Sequence, residues 1–335
     1  MDRILIIRVD KLGDFCHSLP AFSLLKRSLP DSQIDVIVAP IMEPFAKAMP
    51  FIDNVLVYRK EDDNLVETLR ERDYQAAIVM HSHKRMAQIV KEAGIPYRLG
   101  QRRKWFQYLY THRAPINRSA CLKPEWRYCT DHIEYFLCKN HIPPADIHDR
   151  VWQSPDDRGQ WQQFYGQAEG ERLVFIHPGS GGSEGSLSTQ QFAEIADSLV
   201  RHTEQRVKFV VTFGPGEESL AQEVVDKIAG LGHTAVKAPP LAAVEEFIRS
   251  LAAADMMIAG STGPLHAASL HNAITVGFYP HKTRDDKIRW QTLSEDVRRL
   301  SFSPPQGKET GTQLKLIDAQ LVGRKAAQVL HKQFS

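Results

Sequence analysis

The sequence predicts an α/β protein of two doubly wound domains, each a parallel sheet with helices on both faces. Three observations predict it. Short, nearly continuous apolar runs such as Ile4–Ile7, Leu173–Ile176 and Met256–Ala259 recur along the chain, as strands buried on both faces require. Each leads into a loop of small or polar residues and then a helical pattern, the strand–loop–helix order of a doubly wound sheet. At 335 residues the chain exceeds one ordinary core, and the alternation lapses after residue 98 and restarts near residue 171.

In order, Arg3–Val9 reads as a buried strand with one internal charge at Arg8, followed by the loop Asp10–Asp14. Pro20 suits the first turns of a helix that runs to about Leu29. Ile34–Val38 is a strand, Pro44–Met49 a short helix, Val55–Tyr58 a strand, Leu65–Arg72 a helix and Ala76–Met80 a strand. Lys84–Ala93 is helical and stops at Gly94, a residue suited to a helix end. Tyr128–Lys139 is a further helix, and the polar, turn-rich Ser154–Glu171 marks the domain boundary. The second alternation runs strand Leu173–Ile176, helix Thr189–His202, strand Val207–Thr212, helix Glu217–Leu231, strand Ala235–Lys237 and helix Val244–Ala254. It continues with strand Met256–Ala259, helix Leu265–Leu270 and strand Ile274–Phe278. An amphipathic helix over Ile317–Lys332 ends the chain. The division is therefore residues 1–155, residues 170–310, and a tail over 311–335 that is able to pack back on the first domain.

Composition narrows the class. Hydrophobic content of 42% and charged content of 24% are those of a globular chain, and a net charge of +2 gives no bulk attraction to nucleic acid. Four cysteines, none in a C-x-x-C pair, read as reduced thiols rather than a zinc ribbon. The first fifteen residues do not have the form of a signal peptide, and no apolar run approaches the ~18–20 residues of a membrane span. The expected location is cytoplasmic, at the inner face of the cytoplasmic membrane.

The loops at the strand ends carry the candidate chemistry. In a doubly wound domain, ligands bind beyond the carboxyl ends of the strands, and two such domains hold ligand in the cleft between them. Four loops should line it: Asp10–Asp14, Pro178–Ser188, Gly214–Glu217 and Gly260–His266. Gly260-Ser261-Thr262-Gly263 precedes a helix, where free N–H groups and the helix dipole favour an anion, and His266 adds a donor in the first turn. The structural alternative is a tight turn with Thr262 as cap. His177–Ser188 has glycines at 179, 181, 182 and 185, which is not the G-x-G-x-x-G spacing of a dinucleotide fold. Asp14 stands where a carboxylate base belongs, although an aspartate there also suits a helix cap. No Asp-x-Asp or H-E-x-x-H spacing exists, so no metal is expected. The stretch Arg98–Arg127 sets eight Lys or Arg against the single acid Glu125, with Trp105, Phe106, Tyr108, Tyr110 and Trp126 among them. It reads as an acceptor site for an acidic glycolipid at a membrane surface, joined by His81, His83, Lys84 and Arg85, or as a solvated basic face.

Four segments together, ILIIRVDKLGDFCHSLPAFSLLKRSLPDSQIDVIVAP, VFIHPGSG, TFGPGEE and GSTGPLHAAS, resemble glycosyltransferase family nine, the ADP-heptose:lipopolysaccharide heptosyltransferases. The resemblance spans most of the chain and is weakest over Arg98–Gly170. It implies a GT-B fold of two facing Rossmann-like domains with parallel sheets, acceptor on the first and donor on the second. It also implies a metal-independent, inverting transfer of heptose from ADP-heptose to the lipopolysaccharide inner core. Asp14 falls on the family's catalytic base. Gly13, Ser180, Gly181, Glu217, Ser261, Thr262, Gly263 and His266 would face the donor. Lys11, His81, His83, Lys84, Arg85, Arg102, Arg103 and Lys104 would face the acceptor.

Two departures stand out against the family. Ser180–Thr189 contains no lysine where the family usually has one, and Ser261-Thr262-Gly263 replaces D-[ST]-G. Lys282 and Arg284, after strand Ile274–Phe278, are the nearest cations by topology. A nucleotide-sugar epimerase of the same architecture and a non-catalytic sugar or nucleotide binder are the alternative readings.

Overall fold

A computed structural model describes residues 1–60, 64–152, 157–180, 186–281 and 286–334. The chain divides into two compact units, Met1–Trp152 with Ala243–Glu245, and Gln153–Ala242 with Glu246–Ser335. Each unit holds one six-stranded sheet.

In the first unit the strands are β1 (Arg3–Arg8), β2 (Gln33–Val38), β3 (Asn54–Val57), β4 (Ala76–Val79), β5 (Tyr97–Gln101) and β6 (His112–Ala114). The helices are α1 (Leu12–Ser28), α2 (Glu43–Lys47), α3 (Leu65–Glu71), α4 (Lys84–Glu92) and α5 (Glu125–Lys139). The sheet order β3-β2-β1-β4-β5-β6 is parallel throughout, with Ile7 beside Val79 where β1 meets β4. The chain winds one way from β1 to β3 and the other way from β4 to β6. Its switch point therefore lies between β1 and β4, where the loops diverge and leave a crevice.

The second unit repeats the design. It contains α6 (Arg158–Phe164), β7 (Glu171–His177), α7 (Thr189–Arg201), β8 (Arg206–Val211), α8 (Glu218–Gly230), β9 (Ala235–Lys237) and all but the first two residues of α9 (Val244–Ser250). Then come β10 (Met256–Gly260), α10 (Gly263–Leu270), β11 (Ile274–Phe278), β12 (Arg299–Phe302) and α11 (Ala319–Phe334). The order β12-β11-β10-β7-β8-β9 places the switch point between β7 and β10, where Ile176 sits beside Ile258. The two α/β units follow the predicted class.

Two details depart from the sequence reading. Pro20 lies inside α1, which begins at Leu12, so Gly13 and Asp14 belong to the helix rather than to a loop. An interior proline costs about 3 kcal/mol, but Phe15, Leu19, Phe22 and Leu25 on this helix are fully buried, at roughly 1.5–3 kcal/mol each. Strands β5, β6 and β12 were not legible, since β5 and β6 sit within the basic, aromatic stretch and β12 is half-buried. Within the second unit, the tail helix α11 packs on α7. Gly323 makes that approach possible, because a Cβ there would lie 2.7 Å from the Ile195 carbonyl oxygen.

Candidate active site

The first unit places a fully buried guanidinium at its switch point. β1 is apolar up to Arg8, whose side chain has no exposure. A desolvated charge needs partners, and the next turns of chain supply them. Arg8 Nη1 lies 3.1 Å from Asp10 Oδ2. Arg8 Nη2 donates to Asp14 Oδ1 at 3.0 Å and to the Asp14 carbonyl at 3.1 Å. The other Asp10 oxygen pairs with His81 Nδ1, just beyond β4. Arg118 pairs with the fully buried Glu125 and stands 3.9 Å from Asp14 Oδ1.

These contacts set the two aspartates apart. Burial pushes the Asp14 carboxyl above its ordinary range, Asp10 and Glu125 add to that, and Arg8 and Arg118 oppose it. Burial pushes Asp10 upward too, but Arg8 and His81 outweigh it, and Asp10 lies below the ordinary range. Burial also opposes the charge on Arg8, yet Asp10 foremost holds it ionised. Lys11, not Asp14, occupies the cap position of α1, so the Asp14 side chain does not serve as the helix cap. It is an acid in the first turn with 27% of its side chain exposed.

The remaining first-unit candidates separate into two groups. His81 belongs to Asp10, and His83 caps α4 by accepting from the Met86 amide at 3.4 Å. Lys84, Arg85, Arg102, Arg103 and Lys104 are exposed. The start of α4 meets the turn after β5: Ser82 Oγ donates to Gln101 Oε1 at 2.7 Å, and Lys84 Nζ lies 4.7 Å from the centre of the Trp105 ring, while Arg85 Nη1 pairs with Glu92 at 3.4 Å. Exposed Lys11 is in the turn before α1. Arg98, counted with the same basic run, is spent on the carbonyls of Ile95 and Leu109.

In the second unit, the ends of β7 and β8 build a niche around Glu217. The Gly214 amide donates to Glu217 Oε2 at 2.9 Å, and His177 Nε2 stands 3.7 Å from the same oxygen. Burial draws His177 down to about 4, with Glu217 opposing, so the ring is neutral near pH 7. Thr212 Oγ1 donates to the Ile176 carbonyl at 3.3 Å and takes His177 Nδ1 at 3.0 Å, which assigns the ring proton to Nδ1. Nε2 and the carboxylate therefore face each other as acceptors, an arrangement that suits a hydroxyl donor from a ligand. Ser180 follows Gly179 on this turn.

At the end of β10, Ser261, Thr262 and Gly263 lead into α10. Thr262 stands at the cap position, but its hydroxyl turns back to the Gly260 carbonyl at 3.3 Å and caps no amide. His266 is buried in the first turn, its ring 6.2 Å from that of Trp290. This half-exposed helix start, adjacent to the Glu217 niche in sheet order, can hold an anion. Gly181, Lys282 and Arg284 lie outside the described residues. Among the described residues, no three His, Cys, Asp or Glu side chains converge as metal ligands would.

Sequence reasoning missed Asp10, Arg118, Glu125 and His177 as members of these clusters. Arg8 was the available signal, since a lone charge inside a buried strand demands a counter-charge nearby. Asp157, in the polar stretch read as the domain boundary, is 9% exposed and accepts from Arg249 at 2.7 Å.

The family described as Glycosyltransferase family 9 (heptosyltransferase) matches residues 63–315. A Haemophilus influenzae protein named as a candidate glycosyltransferase is 35% identical over 327 residues, covering 95% of this chain and 93% of its own. The lipopolysaccharide core heptosyltransferase OpsX of the same organism is 21% identical over 285 residues, 82% of this chain and 78% of that one. Among solved structures, Escherichia coli ADP-heptose lps heptosyltransferase II superposes with a TM-score of 0.79 at 19% identity, covering 100% of both chains. Among the described residues, no helix is long and apolar enough to cross a membrane.

Proposed function

The chain belongs to glycosyltransferase family 9, and on that footing we propose that it transfers heptose from ADP-heptose, with inversion, to an acidic acceptor of the lipopolysaccharide inner core. The observation that carries the reading is the Asp14 carboxylate, part-exposed at the first switch point and held above its ordinary pKa range. Asp14 takes the proton of an acceptor hydroxyl, whose oxygen attacks the anomeric carbon from the face opposite the leaving group. The bond from that carbon to the diphosphate oxygen breaks, and ADP departs with the electron pair. The amino end of α10, with Thr262, Gly263 and His266, receives the diphosphate, and Glu217 takes a hydroxyl of the nucleoside. Lys282 and Arg284 are proposed as the full cations of the donor site. The exposed edge at Lys84, Arg85 and Arg102–Lys104 takes the acidic acceptor at the inner face of the cytoplasmic membrane.

Incubation of purified protein with ADP-heptose and heptose-free inner-core acceptor tests this. Release of ADP that needs the acceptor and survives excess EDTA is expected, with Asp14→Asn at least ~10²-fold slower. Near-normal turnover in Asp14→Asn removes the base assignment, and rescue of EDTA-treated enzyme only by a divalent ion removes the metal-independent reading. Conversion of donor without acceptor points to an epimerase instead.

A further inference from the structure

Arg8 offers two terminal nitrogens, and each faces a different carboxylate: Nη2 donates to Asp14 Oδ1 at 3.0 Å, and Nη1 stands 3.1 Å from Asp10 Oδ2 as an ion pair without a hydrogen bond. Asp10 Oδ2 faces the Arg8 charge, and Asp10 Oδ1 pairs with His81. We infer that Asp10, clamped by His81, is a positioning residue that keeps Asp14 basic by drawing off half of the Arg8 guanidinium. This rests on the reading of Asp14 as the base.

The physical case is a competition for one buried cation. A guanidinium prefers to grip one carboxylate with two parallel N–H bonds, and an aspartate so gripped drops by ~1–3 pKa units. Here that grip is split, and the second negative charge at Asp10 raises Asp14 further. The other groups facing Asp14 do not replace Asp10. Arg118, from the turn Arg118–Ala120, is paired with Glu125 of α5. Cys129 of α5 is pushed up to about 11 by burial, against Arg8, and so stays a thiol. His132 of α5 is drawn down to about 4 by burial and stays neutral. His83 lies beyond His81, its ring 6.1 Å from that of His81, and burial lowers it as well. Asp10 is thus the carboxylate that shares Arg8 directly with the base, and His81 fixes it from the neighbouring strand end.

The test uses the full chain without substrate. Aspartate carboxyl carbons are labelled with ¹³C and titrated by NMR, with Asp10→Asn and Asp14→Asn identifying the two signals. In the wild type, Asp14 should titrate above the ordinary aspartate value and Asp10 below it. In Asp10→Asn, the Asp14 midpoint should fall by about one pH unit or more. The acidic limb of kcat should move down with it, with donor KM unchanged; a merely structural role would leave that limb in place. An Asp14 midpoint that stays or rises in folded Asp10→Asn overturns the inference. The reverse order of the two midpoints in the wild type also overturns it, and that measurement needs no variant to fold. If the NMR shift occurs but Asp14→Asn keeps its turnover, the sharing of Arg8 stands and the base reading falls.

Discussion

The carboxylate of Glu217 occupies the space that a side chain at Gly179 would need: a Cβ built on Gly179 meets that carboxylate before any other group. The bare backbone at the end of β7 is therefore part of the niche, and Glu217 is held against it by the Gly214 amide.

Gly179→Ala should displace Glu217 without unfolding the unit, since what must move is the end of a flexible side chain. ADP affinity by calorimetry should fall ~10-fold, about 1.4 kcal/mol. Glu217→Ala should cause a similar loss, and the double variant little more, because the two act through one contact. Additive losses would show that Gly179 serves the donor on its own account.

Arg8→Met should destabilise the first unit by about 3–5 kcal/mol, because Asp10 and Asp14 would lose the buried cation between them. Urea unfolding reads this as a lower midpoint. Arg8→Lys should fall between, since one ammonium cannot reproduce the two-nitrogen fork. An unfolding free energy within ~0.5 kcal/mol of wild type in Arg8→Met, on the scale of an ordinary surface change, would contradict the buried ion cluster.

Stability should decline as pH falls from about 6.5 toward 4. Burial draws His132, His177 and His271 each down to about 4 in the folded chain. Unfolded, they take protons near the ordinary value of about 6.5, so acid favours the unfolded state by up to about 1.4 kcal/mol per histidine per unit of depression. His132→Leu should flatten part of the slope of unfolding free energy against pH between these limits. An unchanged slope would mean that His132 is not neutral when folded.

Reversing the charges of Arg102, Arg103 and Lys104 should raise the apparent KM for the acidic acceptor several-fold and leave ADP binding alone. Trp105→Ala should add to the effect by releasing Lys84, which now lies over its ring. An unchanged acceptor KM would return this edge to an ordinary solvated surface.

By itself the sequence determined the two α/β alternations, because a strand buried on both faces must be apolar and a helix beside it must keep a 3.6-residue stripe. It also determined which loops follow the strands: Asp10–Asp14 in the first unit, Gly214–Glu217 and Gly260–His266 in the second, since parallel winding brings the carboxyl ends of one sheet to one edge. What it left open depended on non-local partners. Pro20 reads as a helix start until the burial around it outweighs its cost. Glu125 reads as a lone acid in a basic run until Arg118 closes on it in the interior. Asp14 reads equally as cap or base until Lys11 takes the cap and Arg8 divides itself between Asp14 and Asp10. A titratable group acquires its character from the charges and the burial around it, and residues distant in the chain supply both only once the sheet has brought β1, β4 and α5 together.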